Sequence, residues 1–141
     1  MIILGIDYGD AHTGIAVCDQ WENMATPACV IHEYDYQKRL EKTAEVAKTY
    51  NAELLVVGLP KNMDNTIGAK AQTCQAFAED LHQMTGLPVE LWDERCTTVT
   101  AHRYLNDTNT RGKKRKNKVD AVAATVLLES YLAYRKNTAI S

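Results

Sequence analysis

The sequence predicts an α/β domain: a mixed five-stranded sheet of order 3-2-1-4-5 flanked by helices. Three observations predict it. Strand-like segments at 2–7, 15–18 and 27–34 follow one another with only glycine-containing or polar turns between them. Two later strand-like segments, 53–58 and 89–92, are each preceded by a stretch of helical period. Strands reached through such helices pair parallel to the first strand by right-handed crossovers.

The elements read in order as follows. Residues 2–7 place branched residues among small ones and stop at Gly9. Gly9-Asp10-Ala11-His12-Thr13-Gly14 reads as a hairpin turn, with 15–18 returning and 27–34 forming the third strand. Asp35 is positioned to cap a helix over 36–50, with Tyr36, Leu40, Ala44 and Ala47 on one face. Leu54-Leu55-Val56-Val57 suits a strand buried on both faces, and Pro60 ends it. A helix over 69–84 turns Ala71, Cys74, Phe77, Ala78 and Leu81 inward, with Gly86 and Pro88 closing it. The strand 89–92 leads into Asp93-Glu94-Arg95, a short helix covers 98–105, a polar basic loop covers 106–117, and a last helix runs from 118 to about 135.

At 141 residues the chain fits one domain spanning 1–141, without repeats or low-complexity tracts. A chain of this size buries about two-thirds of its unfolded surface and needs no staples. Its 45% hydrophobic and 24% charged content is ordinary for a soluble protein. The apolar runs are far too short for a membrane span, and the N-terminus lacks the basic stretch and cleavage site of a signal peptide. A cytoplasmic protein with no membrane partner is expected. Cys18, Cys29, Cys74 and Cys96 show no metal-binding spacing and read as reduced thiols. Trp92 reads as core.

The net charge of -2 does not announce a polyanion binder, but its distribution does. Residues 111–118 carry six of the 16 basic side chains, leaving 10 basic against 18 acidic elsewhere. A concentrated positive segment on an acidic body implies a local anionic partner.

Three carboxylates stand where chemistry is expected. Asp7 ends an apolar strand between Gly5 and Gly9, where an ionised carboxylate is costly unless paired or metal-bound; the alternative is a turn cap. Asp93 and Glu94 follow a parallel strand, where open α/β sheets bind ligands. Alternation points the two to opposite sides, so one reaches a site shared with Asp7; the alternative is a solvated loop paired within itself to Arg95. Asp120 falls in the first turn of the expected last helix, where it either ligates a metal or complements the helix dipole. Carboxylate oxygens suit magnesium or manganese, and such ions support phosphodiester hydrolysis. One ion or two fit this reading.

Four blocks in order along the chain are similar to one family. They are Gly5-Ile6-Asp7-Tyr8-Gly9 with Gly14-Ile15-Ala16-Val17; Val56-Val57-Gly58-Leu59-Pro60-Lys61-Asn62-Met63-Asp64; Asp93-Glu94-Arg95-Cys96-Thr97-Thr98; and Val119-Asp120-Ala121-Val122-Ala123-Ala124. The chain resembles the YqgF family, Holliday-junction-resolvase-like nucleases linked to processing of ribosomal RNA precursors. The resemblance implies a ribonuclease-H-like fold and a catalytic, metal-holding triad of Asp7, Glu94 and Asp120. It implies cleavage near the 5′ end of pre-16S rRNA during ribosome biogenesis. The family's first turn carries Thr and a Lys/Arg pair where this chain has Asp10-Ala11-His12, so a basic phosphate contact is lost or moved to His12; Asp10 is expected in solvent.

Lys61, Asn62, Arg95, Lys113, Lys114, Arg115, Lys116 and Lys118 are the expected nucleic-acid contacts, gripping backbone phosphate with salt-dependent affinity. The expected partner is structured RNA, pre-16S rRNA or a pre-ribosomal particle, with branched DNA as the alternative. The chain is expected to act as a monomer or weak homodimer. Two other readings stay open: a four-way-junction DNA resolvase using the same carboxylates, and a non-catalytic RNA-binding assembly factor. An ATP-binding module of the actin and sugar-kinase type also starts on a Gly-Ile-Asp-x-Gly strand, but needs two such domains.

Overall fold

The computed structural model describes the backbone at residues 1–9, 12–59, 69–93 and 112–140, and the side chains at 1–9, 12–59, 70–92 and 122–136. The elements are β1 (Ile3–Tyr8), β2 (His12–Cys18), β3 (Ala25–His32), α1 (Tyr36–Thr49), β4 (Leu54–Leu59), α2 (Ala69–Thr85), β5 (Val89–Asp93) and α3 (Gly112–Ile140). The strands form one sheet of order β3-β2-β1-β4-β5. β1 is antiparallel to β2 and parallel to β4, and β4 is parallel to β5. The predicted mixed sheet and its order are those observed.

Strand alternation divides the core into two layers. Leu4, Ile6, Tyr8, Leu55, Val57 and Leu59 meet Leu40 and Ala47 of α1 and Ala71, Cys74, Phe77, Ala78 and Leu81 of α2. Ile3, Ala16, Cys18, Leu54 and Val56 meet Ala124, Leu127, Leu128, Tyr131 and Leu132 of α3. β1 and β4 are covered on both faces, which is why their sequences are nearly continuous apolar runs.

Local signals set most boundaries. The Asp35 carboxylate accepts the Lys38 N–H at 2.9 Å, so the predicted cap of α1 is present. That helix ends where Asn51 takes a left-handed conformation (φ 57°) and Ala52 N–H reaches the Ala47 carbonyl at 2.9 Å. Gly86 (φ 73°) ends α2, its N–H donating to His82 O at 2.8 Å.

Several expectations are corrected. β2 starts at His12, not residue 15, because Gly9 N–H donates to His12 O at 2.9 Å and carries the ladder up to the turn. β3 is shifted two residues toward the N-terminus, and its register slips between Ile15 and Ala16 of β2. The inward face of α1 includes Arg39 and Thr43, both buried, whereas Tyr36 is exposed. The last helix begins at Gly112, so 112–117 is helical rather than loop. Lysine and arginine are good helix formers, and no proline interrupts them. Trp92 is half-buried: it packs on the α3 layer and donates Nε1–H to Ser130 Oγ at 3.2 Å. The expected helix 98–105 lies outside the described residues. No described helix is long and apolar enough to cross a membrane. Cys18, Cys29 and Cys74 are free thiols.

Candidate active site

The candidate site centres on Asp7, near the carboxyl end of the central strand. Asp7 alternates with Leu4, Ile6 and Tyr8, so its side chain belongs to the face covered by α3. It is only partly buried. Its partner across β2 is Gly14. On the other side, Ile6 is paired with Val57, and the next residue of β4 is Gly58. Glycine at both neighbouring positions leaves no β2 or β4 side chain beside this carboxylate, which suits the approach of an ion or a phosphate.

The turn beyond Asp7 is held from the opposite layer. Arg39 of α1 is 2% exposed. Its Nη1 donates to Gly9 O at 2.5 Å and its Nε to Glu33 O at 3.0 Å. The guanidinium lies over the Tyr8 ring at 4.7 Å, and Tyr8 stacks on Phe77 at 4.2 Å. This buried arginine joins α1, the end of β3 and the β1–β2 turn into one unit. Sequence reasoning misses it because a lone arginine on a helix reads as surface. Its spacing with Leu40, Thr43 and Ala47 is the signal that could have found it.

The covering helix runs against β1. A β-carbon on Gly5 would lie 2.8 Å from Leu128 Cβ and 3.1 Å from the Ala124 carbonyl, so glycine here sets the close approach of helix to sheet. Further along, Arg135 donates to Glu22 at 2.7 Å, and Glu22 in turn meets the Met1 ammonium at 3.2 Å. From residue 135 back to 124 the helix therefore passes from the start of β1 toward Asp7.

Elsewhere on this face Tyr131 donates to the Glu90 carboxylate. Burial, then this hydrogen bond, pushes the Tyr131 hydroxyl up to about 12. Burial also raises the Glu129 carboxyl. The Glu22 carboxyl is held below its usual range by the hydrogen bond from Arg135. These groups lie along the C-terminal half of α3 and support packing at the end of the sheet away from Asp7.

His12 is engaged across the strand pair. Its Nδ1 faces Nδ1 of His32 at 2.5 Å across the β2–β3 pair.

Of the predicted site residues, Asp7 is described in full. Asp120 is the ninth residue of α3 rather than in its first turn, so the helix-terminus argument for its charge does not apply. Lys113, Lys114, Arg115, Lys116 and Lys118 also belong to α3, but their side chains, like that of Asp120, lie outside the described residues. Lys61, Asn62, Glu94, Arg95 and Asp10 lie outside them altogether. Among the described residues no three His, Cys, Asp or Glu side chains converge as a metal cluster.

Comparison with known proteins is consistent along the chain. A family profile described as RuvX, Holliday junction resolvase, matches residues 1–134. A Bacillus cytotoxicus protein named "Putative pre-16S rRNA nuclease" is 41% identical over 134 residues, covering 94% of this chain and 98% of the relative. A Bacillus thuringiensis protein of the same name is 40% identical with the same coverage. Among solved structures, T. thermophilus RuvC in complex with Holliday junction substrate superposes with a TM-score of 0.63 at 17% identity, covering 98% of this chain and 97% of that one. The fowlpox virus resolvase bound to Holliday junction DNA gives 0.58 at 14% identity, covering 96% and 99%. The fold is ribonuclease-H-like, as the resemblance implied.

Proposed function

This chain belongs to the RuvX family of Holliday junction resolvases, and we propose that it is a metal-dependent endonuclease that trims the 5′ end of pre-16S rRNA. The catalytic set is Asp7, Glu94 and Asp120.

One register supports the set. Ala124 and Leu128 face Gly5. Residues four apart share a helix face, so Asp120 is one turn of about 6 Å ahead of Ala124 on that face. Asp7 is two strand residues, about 6.6 Å, ahead of Gly5 on the same sheet face. The two steps are alike in length and direction, which supports grouping Asp120 with Asp7. Glu90 and Trp92 turn toward α3 through Tyr131 and Ser130, and Glu94 is the next residue of that parity in the sequence, which supports choosing it for the set. Asp93 has the opposite parity.

The donor chemistry fits magnesium or manganese, since all three groups are carboxylates. When bound, such an ion activates water and offsets charge on the leaving oxygen. The chain's own share is to hold and orient. Asp7 offers its oxygens where both neighbouring strands carry glycine, beside the Arg39-clamped turn. Lys61, Asn62, Arg95 and the basic start of α3 bind backbone phosphate without reading sequence.

The homologues' name favours ribosomal RNA as substrate, and the family description favours four-way DNA junctions as the second reading. The test is cleavage of labelled precursor 16S rRNA and of a synthetic four-way junction with magnesium, manganese or chelator, alongside Asp7→Asn. Metal-dependent cutting of the RNA, reduced about a hundredfold or more in the variant, supports the proposal. Paired symmetric cuts in the junction alone replace it with a resolvase. Absence of cutting on either, with RNA still bound, replaces it with an assembly-factor role. A monomer or weak homodimer in the cytoplasm is part of the same reading.

A further inference from the structure

The β2–β3 edge carries a group of ligating atoms that the nuclease reading does not use. His12 and His32 are directly opposed in the antiparallel register. Their Nδ1 atoms stand 2.5 Å apart, their rings meet edge to face at a centroid distance of 4.5 Å, and the pair is exposed to solvent. Both residues extend the alternation of Gly14 and Val30, on the same face as Asp7. Two imidazole nitrogens that face each other across one strand pair need only a small separation to chelate one ion.

We propose that His12 and His32 form a two-histidine site for a borderline divalent transition ion of the zinc class. Imidazole suits zinc, copper, nickel and cobalt, whereas magnesium takes oxygen. The site is therefore separate in ligand chemistry from the carboxylate set. Zinc-to-nitrogen bonds of about 2.0–2.1 Å at a tetrahedral angle need the nitrogens about 3.3 Å apart. Opening the pair by about 0.8 Å lies within side-chain rotation at an exposed strand end. The protons balance. In the hydrogen-bonded pair one Nδ1 carries a hydrogen and the other accepts it. On binding, that hydrogen relocates to Nε2 of its own ring, both imidazoles stay neutral, and both Nδ1 lone pairs face the ion. Water fills the remaining positions, since no third side chain joins the pair among the described residues.

The proposal does not depend on the nuclease reading, and its readouts are binding ones. Untagged full-length chain is titrated with cobalt(II) in excess magnesium, following absorption and calorimetry, and zinc is then used to compete. The expected result is one saturable site, weakened about tenfold or more by either His12→Ala or His32→Ala. The double variant should be no weaker than either single one, and His82→Ala should match the wild type. His32→Gln, which preserves the strand, should lose the ion while keeping the metal-free thermal midpoint. Cobalt binding that survives both single substitutions, or no saturable binding in the wild type, overturns the proposal and leaves a plain cross-strand hydrogen bond.

Discussion

Arg39 Nη1 of α1 donates to the carbonyl oxygen of Gly9 at 2.5 Å, tying a buried guanidinium to the turn two residues beyond Asp7. Replacing Arg39 by Met leaves the Gly9 and Glu33 carbonyls without this donor. Each unsatisfied buried group costs about 1–3 kcal/mol. A loss of about 2–3 kcal/mol in urea unfolding is expected, with Arg39→Lys failing to restore it because a single ammonium does not reproduce the planar fork. An unchanged midpoint in both variants would show that the clamp is not what holds the turn.

Gly5→Ala pushes a β-carbon against Leu128 Cβ and the Ala124 carbonyl. Neither atom is the free end of a flexible chain, so α3 must shift. Overpacking of this kind costs about 1–3 kcal/mol. Thermal unfolding should show it, and nuclease rate should fall further than stability alone explains, because α3 also carries Asp120.

Asp7→Asn separates metal binding from folding. In the wild type, magnesium at a hundred times its dissociation constant should raise stability by about 2.7 kcal/mol. The variant should show little of this rise. Equal magnesium-induced shifts in both proteins would remove Asp7 from the ion site.

The Glu22–Arg135 pair predicts an acid dependence. Arg135 holds the Glu22 carboxyl below its usual range, so its folded value lies under its unfolded one. Its contribution is complete above the unfolded value and is lost as pH falls through the folded one. Wild type should therefore lose its advantage over Arg135→Gln progressively below about pH 4.5. Thermal midpoints measured from neutral pH downward test this, and a constant gap would contradict it.

The basic run lies in α3, which changes what its salt dependence should be. A helix turns consecutive residues by about 100°, so Lys113, Lys114, Arg115 and Lys116 do not share one face. Replacing all four with Gln should weaken RNA binding at every sequence and lower the salt slope by about two rather than four. A drop of four would mean that this stretch unwinds when it binds.

Hydrophobic period and turn chemistry are local, so the five strands, α1 and α2, the Asp35 cap and the Gly86 stop are legible in the chain itself. The five inward positions of α2, Ala71, Cys74, Phe77, Ala78 and Leu81, follow from period alone for that reason. The sheet order follows from connection lengths and handedness. The position of Asp7 near the end of the central apolar strand is legible too, since that strand is a short branched run closed by Gly9.

Other features depend on what meets what across the fold. Arg39 is buried because a carbonyl 30 residues away and an aromatic ring close over it; its spacing with Thr43 and Ala47 marks the inward face but not what the guanidinium meets there. The His12–His32 pairing needs the β2–β3 register, and that register slips at Ile15 and Ala16. The start of α3 escapes a sequence reading because lysine-rich segments suit both solvent loops and exposed helix. The sequence by itself determined the five strands, α1 and α2 and their order in the sheet. Tertiary structure alone decided which faces close on each other. Packing over Gly5 sets the height of α3 above the sheet, because a β-carbon there would meet Leu128 and the Ala124 carbonyl.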